Sequence, residues 1–134
     1  MSNSDISAKI NSFLTELNFS PEKTYFENTA FFLGWSICNS KFRLVYRMES
    51  DALLICSLHN KCPGTGLEST LIYTLNLWRD LLDQIPELLC LKAIISQLGS
   101  DYDLSNRKRM TSFLLERGGV LVESDNMTCI EFRR

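Results

Sequence analysis

A chain of 134 residues has room for one domain, here residues 1–134, and for no second one. Apolar residues at 45% and charged residues at 22% exclude a disordered or coiled-coil chain. The net charge of −2 removes the long-range pull on which non-specific nucleic-acid binders depend, so no nucleic-acid partner is expected. No apolar run reaches the eighteen or so residues of a membrane span, and Met1-Ser2-Asn3-Ser4-Asp5 lacks the basic and apolar regions of a signal peptide. The expectation is a soluble, cytoplasmic protein.

The first predicted element is a helix from Asp5 to Asn18, with Ile6, Ile10, Phe13, Leu14 and Leu17 on one face. Ser4 or Asp5 caps it, and Ser20-Pro21 stops it. Thr24–Leu33 is rich in aromatic and β-branched residues and reads as one strand ending at Gly34. Phe42–Arg47 alternates cleanly between Phe42, Leu44, Tyr46 and Arg43, Val45, Arg47. Ala52–Leu58 is almost wholly apolar, the mark of a central strand in a sheet covered on both sides. A long helix from Glu68 to Ile85 follows, with Leu71, Leu75, Trp78, Leu82 and Ile85 as its buried stripe and Pro86 as its stop. Leu88–Ile95 is a second apolar strand, parallel to its neighbour because a helix crosses between them. A helix from Ser105 to Arg117 turns Met110, Phe113 and Leu114 inward and ends at Gly118-Gly119. Val120–Glu123 and Met127–Phe132 form a last hairpin. The predicted class is α+β, a mixed sheet flanked by helices in the order α-β-β-β-α-β-α-β-β.

Five cysteines, odd in number and without a C-x-x-C pair, read as core residues of a reducing compartment. One histidine, His59, and no paired ligand spacing leave nothing for a metal. A dyad of His59 with Cys56 or Cys62 lacks an orienting third group. Lys61-x-x-Gly64-x-Gly66 lies between a buried strand and a helix N-terminus, where close backbone approach and free N–H groups favour a pyrophosphate. The same glycines also fit a plain turn. Arg107-Lys108-Arg109 and Arg133-Arg134 form a basic patch, read first as a solvated face. Trp35 beside Phe31-Phe32 fits core packing or a half-exposed interface anchor.

In this order the strands, the Gly-x-Gly loop opening a long helix and the terminal hairpin resemble the GNAT N-acetyltransferase superfamily from Thr24 onward. The family holds the pyrophosphate of acyl-CoA on a [Gln/Arg]-x-x-Gly-x-[Gly/Ala] loop, which Lys61, Gly64 and Gly66 match with Lys in the first place. The resemblance implies acetyl-CoA or CoA as cofactor, with Asn106 as the Asn that opens the later helix. Where the family has a Tyr seven residues on, this chain has Phe113, and where it has Gly-Phe it has Gly118-Gly119. A phenyl ring cannot protonate a departing thiolate. The two apolar strands carry no carboxylate, with Lys92 their one strong titrating group besides cysteine, and Glu49, Asp51 and Glu68 read as solvated ends of elements. Tyr102 is the one substitute acid near the loop.

A second resemblance is to the low-calcium-response R (LcrR) regulators encoded with bacterial type III secretion systems. It rests on Leu33-Gly34, Phe42 to Glu49, Leu71 to Leu75 with Arg79, and Leu104-Ser105 through Gly118. It implies a small cytoplasmic accessory protein that regulates or escorts secretion components in a chaperone-like way, through protein binding and without catalysis. The alternative from a different class is an acyl-CoA-dependent N-acetyltransferase. Small acidic secretion chaperones, which dimerise, are a third reading with a different C-terminal helix order; a homodimer is therefore among the expected states.

Overall fold

The computed structural model describes residues 3–25, 29–30, 32–49, 52–60, 67–94, 104–124 and 127–133. Helix α1 spans Asn3–Glu16 and buries Ile6, Ile10 and Leu14, spaced four apart on one stripe. Leu17, expected inward, is 44% exposed, because the helix has already ended. Asn18 adopts φ 71°, and the amides of Asn18 and Phe19 bond back to Thr15 and Leu14 carbonyls at 3.0 Å. That is a Schellman stop with Asn in the left-handed place, closed by buried Phe19. The stop therefore precedes Ser20-Pro21.

The expected single strand over Thr24–Leu33 is two strands, β1 (Glu22–Tyr25) and β2 (Phe32–Cys38), paired antiparallel. The polar Glu27-Asn28-Thr29 in the middle of that run breaks its β-forming character. Gly34 sits inside β2 rather than at its end. An Asn39 turn follows, in which the side-chain oxygen accepts from the amides of Lys41 and Phe42 at 2.8 and 3.0 Å. Strands β3 (Phe42–Glu49) and β4 (Ala52–Asn60) pair antiparallel from Glu49↔Ala52 to Phe42↔Asn60.

Helix α2 (Leu67–Gln84) carries the chain across to β5 (Cys90–Ile94), which is parallel to β4 as expected. Its expected stripe is buried, and Leu77 and Leu81 widen it. Helix α3 (Leu104–Glu116) ends in a second Schellman stop, where Gly118 takes φ +104° and Gly119 N–H reaches the Leu114 carbonyl at 3.0 Å. Strands β6 (Val120–Ser124) and β7 (Met127–Arg133) close the chain. The element order thus contains one strand more than predicted, and the seven strands run β1-β2-β3-β4-β5-β7-β6. β7 lies between β5 and β6, antiparallel to both.

All three described helices pack on one face. Tyr46 of β3 meets α1 through Asn11, Phe42 meets Tyr73 of α2, and Phe132 of β7 meets Trp78 of α2. Met110 and Leu114 of α3 join Ile130 and Phe132 in the same core. The opposite face holds a smaller buried cluster of Val45, Leu54, Cys56, Ile94 and Cys129, with no described helix over it. Both faces of β4 are buried, as its composition requires, but the helices cover only one.

Candidate functional site

Two features of the sheet bear on function. The first is where β4 and β5 part. Their ladder runs from Ala52↔Cys90 to Ile55↔Ala93, whereas β4 stays paired with β3 out to Asn60. Opposite Val45 and Tyr46, β4 carries one extra residue, Cys56, between Ser57 and Ile55. Such a bulge bends the strand and shifts its alternation, which is why Leu53, Ile55 and then Leu58 all reach the helix-side core. The far end of β4 leads directly to residues 61–66. Lys61, Gly64 and Gly66 lie outside the described residues, as does Tyr102. Asn106 is the third residue of α3, with its side chain outside the described set.

The groups around this opening are quiet. Phe113 packs half-buried on the core with the Arg117 guanidinium 4.7 Å from its ring centroid. Burial pushes the Cys56 thiol up, Arg47 opposing and Glu49 adding to the rise. Its sulfur faces the Leu54 carbonyl at 3.9 Å while His59 is exposed, so Cys56 is not paired with His59; Cys62 lies outside the described residues. Burial also raises the Cys129 thiol, with Lys92 opposing. Cys38 is exposed rather than in the core, whereas Cys56, Cys90 and Cys129 are buried as expected; Cys62 is outside the described residues. One carboxylate was not legible as a core group. Glu131 is 7% exposed, sits opposite Lys92 in the ladder and pairs with Arg133 Nε. Only the placement of β7 beside β5 brings it there.

The second feature is a cleft of about 610 Å³ between α1 and the β1–β3 edge. Its volume lies in the ordinary range of ligand sites, roughly 300–1,000 Å³. α1 contributes the small Ser7 and Ala8, with Asn11 beside them. β1 and β2 contribute Lys23, Tyr25, Phe32 and Trp35, and β3 adds Arg47 and Met48. Tyr25, Phe32 and Trp35 form a series of edge-on contacts, each pair 6.1 Å between centroids. Phe32 and Trp35 are three apart, which in a regular strand puts them on opposite faces. The register shift leaves Leu33 as an extra residue, and Leu33 packs on the far cluster while Phe32 and Trp35 both stay in the cleft. Trp35 is therefore a half-buried wall of this cleft and not a closed core residue. Lys23 Nζ stands 5.8 Å over its ring.

The floor is held by Tyr46, whose buried hydroxyl donates to Asn11 Oδ1 at 2.7 Å. Burial pushes this hydroxyl well above the usual tyrosine value. The unfolded chain releases that proton near pH 10 while the folded chain keeps it, so stability falls as pH rises past about 10. Tyr46→Phe is expected to cost about 1 kcal/mol at neutral pH and to show a shallower alkaline loss, read from urea midpoints. An unchanged alkaline slope would refute this role.

The predicted basic patch divides. Lys108 and Arg109 are exposed on α3, Arg133 is engaged by Glu131, and Arg134 lies outside the described residues. Among the described residues no group of three or more His, Cys, Asp or Glu side chains is placed to hold a metal ion, and no helix is long and apolar enough to cross a membrane. Comparison with known protein families, with curated proteins and with solved structures finds no match.

Proposed function

We propose that the chain is a protein-binding accessory module on a GNAT-like scaffold, a cytoplasmic regulator of the kind carried by bacterial type III secretion systems, acting without catalysis. The observation that carries the binding role is the aromatic cleft, with Tyr25 48% and Phe32 44% exposed beside the outermost strand of the sheet. Half-exposed aromatic side chains with one apolar face and one wet edge are the usual anchors of protein interfaces. The secretion setting comes from the LcrR resemblance. Two of its stretches coincide with elements, Phe42–Glu49 with β3 and Leu104 to Gly118 with α3 and its stop, while Leu71–Leu75 and Arg79 lie within α2 and Leu33-Gly34 within β2.

The scaffold reading is supported by the parallel β4–β5 pair joined by α2, by its early parting beside a bulge, and by β7 inserted between β5 and β6. The layout departs at the start, where α1 precedes β1 and only residues 26–31 separate β1 from β2. The opening past Ile55 favours a second reading, acyl-CoA-dependent N-acetyl transfer at the Lys61, Gly64 and Gly66 loop. Against it, Phe113 supplies no proton and Glu131 is already held by Arg133.

The test is incubation with labelled acetyl-CoA and a panel of amine and peptide acceptors, alongside Tyr102→Phe. No acceptor-dependent turnover is expected. Turnover that disappears in Tyr102→Phe would establish the transferase reading instead, and a gene remote from any secretion cluster would overturn the setting.

A further inference from the structure

We infer that the cleft and the outer edge of β1 receive an extended acidic segment of a partner protein, which adds as a further strand and seats an apolar side chain among Tyr25, Phe32 and Trp35. This rests on the protein-binding reading and names the chemistry of the partner. β1 ends the sheet, and its outer edge pairs with no other described strand. Glu22, Lys23 and Tyr25 are exposed along it, so the edge is open to solvent. An open edge offers main-chain donors and acceptors to an incoming strand, and an adjoining pocket selects its side chains.

Charge selects the partner. Among the described residues Lys23, opposite Trp35 in the ladder, is the charged side chain that faces the cleft, and no carboxylate lines it. Arg47 also borders the cleft but pairs with Leu54 and so turns its side chain to the far face. Lys23 stands over the Trp35 ring, which leaves its ammonium donors for an incoming carboxylate. Arg47 meets Glu49 at 3.5 Å on that far face and takes no part in the charge of the cleft. The chain as a whole carries −2, so Lys23 is a local feature of the cleft and not part of a basic surface. Alternation along an added strand places every second side chain toward the cleft. An aromatic or leucine side chain fills the ring-lined part, and a carboxylate two positions along the added strand meets Lys23.

The test selects a displayed library of random twelve-residue peptides on the full chain and on the double variant Tyr25→Ser, Phe32→Ser. Both replaced side chains are about half exposed, so the variant keeps the core. Enrichment on the parent chain of peptides with Asp or Glu two positions from an aromatic or leucine is expected. An enriched peptide should lose roughly ten-fold or more in affinity on Lys23→Glu, measured by fluorescence anisotropy, and weaken as salt rises. Bound peptide should also slow amide exchange in residues 22–25. Enriched peptides that lack acidic residues, or bind Lys23→Glu as tightly, would overturn the acidic partner while leaving protein binding intact. Binding without slowed exchange in 22–25 would overturn strand addition. Equal enrichment on the parent and the double variant would overturn the protein-binding reading itself.

Discussion

Trp78→Ala is expected to cost about 3–5 kcal/mol of folding stability, the range for emptying a large aromatic site in a core. Trp78 is 1% exposed at the middle of α2, the largest of the fully buried side chains among the described residues. It stands where helix and sheet meet, with its ring centroid 6.4 Å from that of Phe132 on β7. The cavity left by alanine is bounded by α2 above and by the sheet below, so it cannot collapse by the motion of one side chain. Domains of this size have about 5–15 kcal/mol in total, so the variant loses a large share of its margin and should unfold at a much lower urea concentration. Trp78→Phe separates packing from polarity. The indole Nε1 is buried without a hydrogen-bond partner among the described residues. Phenylalanine removes that unsatisfied donor along with some volume, so its cost should be well under half that of alanine. Urea denaturation followed by circular dichroism measures both. A Trp78→Ala protein within about 1 kcal/mol of the parent would refute the central place given to this side chain.

How much of this was legible in the sequence depended on whether the signal was local. The stripe on α2 was readable because Leu71, Leu75, Trp78 and Leu82 repeat at helical spacing, and all four are buried. The parallel relation of β4 and β5 followed from the helix between them. The split of Thr24–Leu33 into two strands was not readable, since β-forming residues mark a strand without marking where the chain reverses. Neither bulge was visible. Cys56 and Leu33 look like ordinary members of apolar runs, and only pairing with a neighbour reveals the extra residue. Glu131 was hidden for a related reason, because nothing local in Met127–Phe132 says that its strand lies beside β5. The cleft was the least legible feature. Its residues run from Ser7 to Met48 on four elements, and Trp35 was the single member the sequence marked as an anchor candidate.

The proposed cradle at Lys61, Gly64 and Gly66 rested on a local motif, and the described residues carry only its approach, the β4 bulge and the early end of the β4–β5 ladder. The cleft has the converse status, a geometry without a motif. That contrast directs experiment to the cleft, where each wall can be changed singly.

Gly34→Ala is expected to disturb that cleft from behind. A Cβ built on Gly34 would stand 2.4 Å from the Tyr46 carbonyl oxygen and 3.2 Å from Arg47 Cβ. The first of these is a backbone atom of the Trp35↔Tyr46 pair, beside which Gly34 sits, so no rotamer change relieves it. β2 must move away from β3, and Trp35, next to Gly34, and Phe32, two residues before it, move with it. The expected cost is about 1–3 kcal/mol, the range for overpacking a well-filled site. Gly118→Ala is the contrasting case. There φ is +104° with no atom within 4 Å of the added methyl, so the penalty is backbone strain alone, about 1 kcal/mol. In a Trp78→Phe background, Trp35 is the only tryptophan left and reports on the cleft. Gly34→Ala should shift its emission and weaken any cleft-bound peptide, while Gly118→Ala should lower stability without doing either. Unaltered stability and emission in Gly34→Ala would mean that β2 and β3 can separate freely at this point. The aromatic series of the cleft would then not be held by the sheet, and the rigid anchor on which the binding role depends would be lost.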